Sequence, residues 1–167
     1  MKAPLSSLDL LDLPTKYGVF VAGYSSAGLA RLNFPETSRP PDWRPVPPNV
    51  VAWHSLTGTA VTAVLDGRSS FTLPPLDLSA GSSFQQSVWR ELLTIPSGEG
   101  RTYGGLAERL GCPRGSRAVG GACGANPVPL LVPCHRVLAA GGKLGGFSGG
   151  LDWKRRLLSI ERAGLEF

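Results

Sequence analysis

The stretch Thr102–Gly124, TYGGLAERLGCPRGSRAVGGACG, decides how the second half of the chain folds. It reads as a short helix, TYGGLAERL, stopped at Gly111, then a turn, GCPRG, then a second helix from about Ser116 to Gly124. Two short helices across a glycine-bearing turn have the form of a helix-turn-helix. The second helix is chemically odd for a reader of base edges. Between Arg117 and Ala125 it offers no amide or basic side chain to a major groove. Its residues are small instead, and each interior glycine costs about 1 kcal/mol relative to alanine, so Gly120 and Gly121 need a reason. Ala118, Gly121, Ala122 and Ala125 fall on one face at i, i+3, i+4 and i+7. Such a face suits either a minor groove, with Arg117 free to enter the base stack, or tight packing on another helix.

Upstream, Ser82 and Ser83 stand three residues before Gln85 and Gln86, a capping-box spacing for the helix FQQSVWRELLTI. Phe84, Val88, Leu92 and Ile95 share its apolar face, and PSGEG ends it. Downstream comes NPVPLLVPCHRVL, Asn126 to Leu138, and then the glycine-rich AAGGKLGGFSGG, read as a lid or a linker without the ending of a phosphate-binding loop. The last helix, LDWKRRLLSIERAG, is amphipathic, with Leu151, Lys154, Leu158 and Glu161 at helical spacing.

Cys134 next to His135 raises a question of chemistry. A thiol with an ordinary pKa of about 8.5 is mostly protonated at neutral pH and needs a base or a positive field to act as a nucleophile. Adjacent residues do not face each other on a helix and point to opposite sides of a strand. His135 therefore reaches the Cys134 proton only through a bridging water or a turn. A carboxylate beyond the imidazole would orient it, and Glu161 is the candidate. The competing reading makes Cys134 a buried hydrophobe, the common state of a cysteine in an apolar run. A cysteine hydrolase would need thiol and imidazole opposed across a cleft, which the adjacent pair disfavours.

The first half is read less firmly. Tyr17–Gly23 and Gly28–Phe34 form a hairpin, PETSRPPDWRPVPP is loop, and Val50–Leu65, whose Val and Thr content suits a strand, is assigned to helix on its length. A short strand near Phe71 and the proline linker LPPLDLSAGSS close this unit. The resulting class is α+β: an N-terminal domain, 1–80, of antiparallel hairpin or sheet plus helix, and a mainly helical C-terminal domain, 81–167.

The 167 residues suffice for one or two compact units. No apolar run approaches membrane-spanning length, and the start carries no continuous secretory core, so a monomer in the cytoplasm is expected. Cys112, Cys123 and Cys134 form no CxxC pair and have two histidines in the whole chain to join them, which argues against a metal centre or disulfide framework. The net charge of +5 is unevenly held: residues 1–81 carry six basic and six acidic groups, residues 82–167 eleven and six. A basic half beside a neutral one suits an anionic partner, most simply nucleic acid.

Together FQQSVWRELL, GRTYGGLAERLG, SRAVGGACGANPVPLLVPCHRV, GGFSGGLDWKRRLL and SIE resemble the O6-alkylguanine-DNA alkyltransferases, the methylated-DNA–protein-cysteine methyltransferase family, over residues 82–163. The resemblance implies a DNA-repair enzyme that uses no cofactor and turns over once. An alkyl group passes irreversibly from O6-alkylguanine, with O4-alkylthymine as a further candidate, to Cys134. It assigns catalytic roles to Cys134, His135, Glu161 and Tyr103, with a water relaying the thiol proton to His135. Double-stranded DNA would be held through its minor groove by Arg117, Tyr103, Ser116, Ala118 and Gln85, Arg117 filling the gap left by the flipped nucleotide. Asn126, Pro129, Val137, Phe147, Ser148 and Cys123 would surround the base. Ser82-Ser83 departs from the Thr-Pro common at that place in the family, Phe147 replaces a frequent Tyr, and Cys123 stands where Met or Asn is usual. The resemblance leaves two rivals: a lesion-binding relative that transfers nothing, and a helix-turn-helix regulator.

Overall fold

The computed structural model describes residues 8–35 and 45–161. Most of the proline-rich loop expected after Phe34, and the last residues of the expected final helix, lie outside them. The architecture is mixed α+β. Three antiparallel strands, β1 (Asp9–Thr15), β2 (Gly18–Ser25) and β3 (Gly28–Asn33), pair in the order β1-β2-β3. β2 buries Phe20, Ala22 and Tyr24 on one side, the two-residue period of a half-covered sheet. Against that side lies α1 (Pro48–Leu65), with Pro48 at its first position, where the missing N–H costs nothing. α1 buries Val50, Thr57, Ala60, Val61 and Val64. The Tyr24 hydroxyl donates to Thr57 Oγ1 at 2.9 Å and lies 3.0 Å from His54 Nδ1, so the polar end of a fully buried ring is satisfied.

Two expectations for this half need correction. β1 was not foreseen: in LDLLDLPT the terminal Thr15 is the single β-branched residue, and the backbone becomes a strand by pairing with β2 from Asp9↔Tyr24 to Thr15↔Gly18. The expected strand near Phe71 is absent. Pro74 and Pro75 cannot donate to a ladder, and the segment touches β3 through an isolated parallel bridge, Leu29↔Leu76. There Leu29 N donates to Pro75 O at 2.8 Å and Asp77 N to Leu29 O at 2.9 Å. The approach is so close that a Cβ on Gly28 would come within 2.3 Å of the Pro75 oxygen, so only glycine fits.

The second half follows its punctuation. α2 (Ser83–Leu92) starts with a complete capping box: Gln85 N donates to Ser82 Oγ, and Ser82 N donates to Gln85 Oε1. After β4 (Arg101–Thr102), the Thr102 hydroxyl caps α3 (Tyr103–Arg109) by accepting from Gly105 N at 3.0 Å. Gly111, with φ +72°, ends that turn, and α4 (Ser116–Gly124) follows. Trp89 Nε1 donates to Ala122 O at 2.8 Å and locks α2 onto α4. The chain then runs through buried Val128, Leu130, Leu131 and Val132 into a 3₁₀ turn, Cys134–Arg136, and a short strand β5 (Val137–Leu138) parallel to β4. α5 (Leu151–Ile160) completes the described chain. Cys134 therefore sits in a tight turn.

α4 also separates the two readings of its small residues. Ala118 and Gly121 are exposed, and a Cβ on Gly121 would meet nothing within 4 Å. Close packing inside the protein is thus no reason for that glycine. Ala122, expected on the same smooth face, is instead buried at the junction with α2.

Candidate active site

A cavity of about 790 Å³ opens between α3, α4, the Cys134 turn and the glycine-rich segment before α5. Tyr103, Ser116, Arg117, Cys123, Cys134, Phe147 and Ser148 line it. Elements distant in sequence thus bring half of the expected residues to its walls. Ala118 is on the exposed face of α4 beyond this lining, and Gln85 is engaged at the start of α2. Pro129 lines a neighbouring cavity of about 400 Å³, while buried Val137 lines neither.

The thiol of Cys134 is 3% exposed, at the cavity floor. Asn126, itself buried, donates from Nδ2 to Cys134 Sγ at 3.1 Å and to Val132 O at 2.8 Å, while its Oδ1 accepts from Val128 N. One amide side chain therefore both ties the loop between α4 and the 3₁₀ turn and contacts the sulfur. Leu130 in that loop has φ +76°, a conformation costly for a branched side chain and held here by complete burial. Burial pushes the Cys134 thiol up to about 11, against the Asn126 hydrogen bond and the positive charge of Lys154. Cys123 is pushed up further, to about 12, by burial and by its proximity to Cys134. Left to itself, this pocket keeps both thiols protonated.

The counterweight lies behind Cys134. His135 is fully buried, and its Nε2 stands 2.9 Å from Glu161 Oε1. Glu161 also accepts from Arg136 Nε at 3.0 Å and Nη2 at 2.7 Å, and Arg136 Nη1 reaches Ile95 O at 2.5 Å. Burial would raise the Glu161 carboxyl, but the hydrogen bonds and charges of His135 and Arg136 outweigh it and hold the group at about 2. His135 is pushed below its ordinary value by burial, against the pull of Glu161. A neutral imidazole that donates from Nε2 to a carboxylate carries a lone pair on Nδ1. That Nδ1 is buried with no hydrogen-bond partner among the described residues. A buried acceptor without a partner is uncommon, and here it belongs to the residue beside the thiol.

The chain is similar to proteins that share one family name. Residues 83–163 match the family described as 6-O-methylguanine DNA methyltransferase, DNA binding domain. The methylated-DNA–protein-cysteine methyltransferase of Mycobacterium leprae (strain TN) is 46% identical over 121 residues, 69% of this chain and 73% of that protein. The chain belongs to the methylated-DNA–protein-cysteine methyltransferase family. The same-named protein of Mycolicibacterium paratuberculosis is 59% identical over 87 residues, and the chain spans about half the length of this and other curated relatives it matches. In three dimensions it resembles Mycobacterium tuberculosis OGT in complex with DNA, with TM-score 0.75 and 39% identity over 93% of each chain. It also resembles O6-methylguanine-DNA methyltransferase from Pyrococcus kodakaraensis strain KOD1, with TM-score 0.65 and 27% identity over 92% of this chain and 98% of that one.

Two residues at this methyltransferase-family site were missed from sequence. Lys154 is fully buried on α5, its Nζ donating to Val137 O at 2.6 Å and Gly146 O at 3.2 Å. Burial lowers it to about 8, with the nearby thiols opposing the shift. Its place on the stripe with Leu158 and Glu161 was the available signal, because a lysine on an apolar stripe is retained for a buried partner. Arg136 holds the carboxylate that orients His135, and its place directly after the Cys-His pair was its only mark. Tyr103, expected at the site, is half-buried with its hydroxyl 3.4 Å from Gly146 O, so the tyrosine and Lys154 hold the same carbonyl.

Proposed function

We propose that this chain repairs DNA by moving an alkyl group from O6-alkylguanine irreversibly to the sulfur of Cys134. The unpartnered Nδ1 of His135, beside a buried thiol and backed by Glu161, carries this reading. A thiol raised by burial reacts only if its proton has somewhere to go. A water bridging Sγ and Nδ1 passes it to the imidazole, and the Glu161 carboxylate stabilises the imidazolium that results. The thiolate attacks the alkyl carbon in line and the C–O6 bond breaks. The electron pair leaves with the guanine oxygen, assisted by a proton or hydrogen bond from the Tyr103 hydroxyl. The products are S-alkylcysteine and an intact base, and each molecule reacts once.

The alkyl carbon is out of reach inside a base stack, so the nucleotide has to be rotated into the cavity. Arg117, at the cavity mouth on the first turn of α4, is placed to fill the vacated space. The exposed Ala118 and Gly121 give that helix a smooth surface suited to the minor groove. Arg117 and the basic surplus of the second half supply phosphate attraction without sequence choice.

Intact-mass spectrometry after incubation with a duplex containing O6-methylguanine tests the proposal. The expected result is one added methyl group per protein, mapped to the Cys134 peptide and lost in Cys134→Ala while lesion binding persists. Binding without any mass change would overturn transfer in favour of lesion recognition alone, and a label on Cys123 would overturn the assignment of the nucleophile.

A further inference from the structure

The glycine-rich segment Gly145–Gly150 forms one wall of the active-site cavity, yet it has little side chain with which to fix itself. Gly145 and Gly150 have φ of +66° and +86°, and such residues lose much backbone freedom on ordering. Two anchors hold it. One is the Gly146 carbonyl, bound by Lys154 and Tyr103. The other is Phe147, the large apolar side chain of the segment, and its backing comes from the N-terminal sheet.

Phe34, just after β3, places its ring 5.6 Å from that of Phe147, edge to face at 71°. Phe34 is itself wedged against Trp153 of α5 at 4.8 Å and Phe20 of β2 at 5.5 Å. On its other side Phe147 meets the His135 ring at 6.4 Å. The segment follows the Phe34 ring so closely that a Cβ on Gly149 would come within 2.5 Å of it. Ser148 faces the active-site cavity on one side and the 400 Å³ cavity lined by Phe34 on the other, so the segment is a thin partition. Packed aromatic rings transmit position because close-packed interiors yield little.

We propose that Phe34 is a positioning residue of the N-terminal sheet that sets, through Phe147, the room left for the alkyl group above Cys134, and so sets which O6 substituents transfer. The inference rests on the transfer reading given above. With the Phe34 ring in place, Phe147 stands forward and the pocket fits small groups. Without it, Phe147 can retreat into the space the ring occupied, and larger groups enter.

The test compares wild type, Phe34→Leu and Phe34→Ala for the rate of mass gain on duplexes carrying O6-methylguanine and O6-benzylguanine, with amide exchange of residues 145–149 measured alongside. The benzyl-to-methyl rate ratio should rise about tenfold in Phe34→Ala, the scale by which pocket volume discriminates between substrates. It should rise less in Phe34→Leu, which keeps most of the bulk, and exchange in the segment should quicken in the same order. A merely structural role would lower both rates together. If the alanine variant does not fold, Phe34→Leu decides alone: an unchanged ratio with unchanged exchange overturns the inference while methyl transfer by wild type still stands. A wild type that takes up neither group overturns the functional reading, and this inference with it.

Discussion

Glu161 ties the chemistry of one residue to the acid stability of the fold. Its folded value of about 2 lies below the ordinary 4.5, so its stabilisation is complete above about 4.5 and is lost as pH falls towards 2. His135 acts in the same direction: it is held neutral below its ordinary 6.5, so protons bind the unfolded chain more readily and acid weakens the fold from that pH downward. Glu161→Gln should remove the lower of these losses, seen as a flatter dependence of melting temperature on pH between about 4.5 and 2. It should also slow methyl transfer at neutral pH about a hundredfold, the usual scale for losing general-base assistance. The rise in rate that reports thiol ionisation should move to higher pH, because an imidazole without an anion behind it is less basic and takes the thiol proton less readily. A superimposable profile would remove Glu161 from the proton path. The meeting of His135 and Glu161 behind Cys134 was legible in the sequence, because the family resemblance carries it in residue type and order. Lys154 and Arg136 were not, because the value of a buried cation depends on which carbonyls and carboxylates the fold places around it.

At the scale of elements, α4 shows how far local signals reach. It has no side-chain cap of its own, whereas the start of α2 and the end of α3 could be read from a capping box and a stopping glycine, both properties of neighbouring residues. β1 and the Phe71 segment could not, because pairing with β2 makes the one and two prolines unmake the other. The small face of α4 was visible, but what it faced was decided by packing. Trp89 of α2 claims Ala122, and Ala118 and Gly121 are left to solvent. Gly121→Leu tests that division. The new side chain enters open space, and leucine favours a helix interior over glycine by roughly 0.5–1 kcal/mol, so melting temperature should hold or rise slightly. Affinity for lesion-free duplex should fall at least tenfold if that face approaches DNA closely, whereas reaction with free O6-benzylguanine should be almost untouched. Equal duplex affinity for the two proteins would show that DNA does not meet this face of α4.

The whole molecule joins a charge-balanced half to a basic one, and the join is apolar. One continuous cluster of buried residues includes Phe20, Tyr24 and Leu32 from the sheet, Val61 and Val64 from α1, and Val88, Leu106, Val119 and Cys134 from the second half. Leu32 N of β3 donates to Pro127 O at 2.9 Å, in the loop that leads to Cys134, and the Phe34, Phe147 and Trp153 rings close the same seam. A division near residue 80 is natural in the sequence, where composition and proline content change. Sequence alone does not reveal this seam, because Phe34 lies more than a hundred residues before Phe147 and Trp153. Separating the halves would expose those rings and leave backbone partners unpaired, so neither half should keep its structure once the other is lost. Heating should therefore give one cooperative transition, with equal calorimetric and van't Hoff enthalpies and coincident fluorescence and far-UV signals. Two resolved transitions, or a van't Hoff enthalpy well below the calorimetric one, would mean that the sheet can melt away from the site. In that case Phe34 could hold the pocket wall only while the first half stays folded, and selectivity between methyl and benzyl groups should decay at the lower transition.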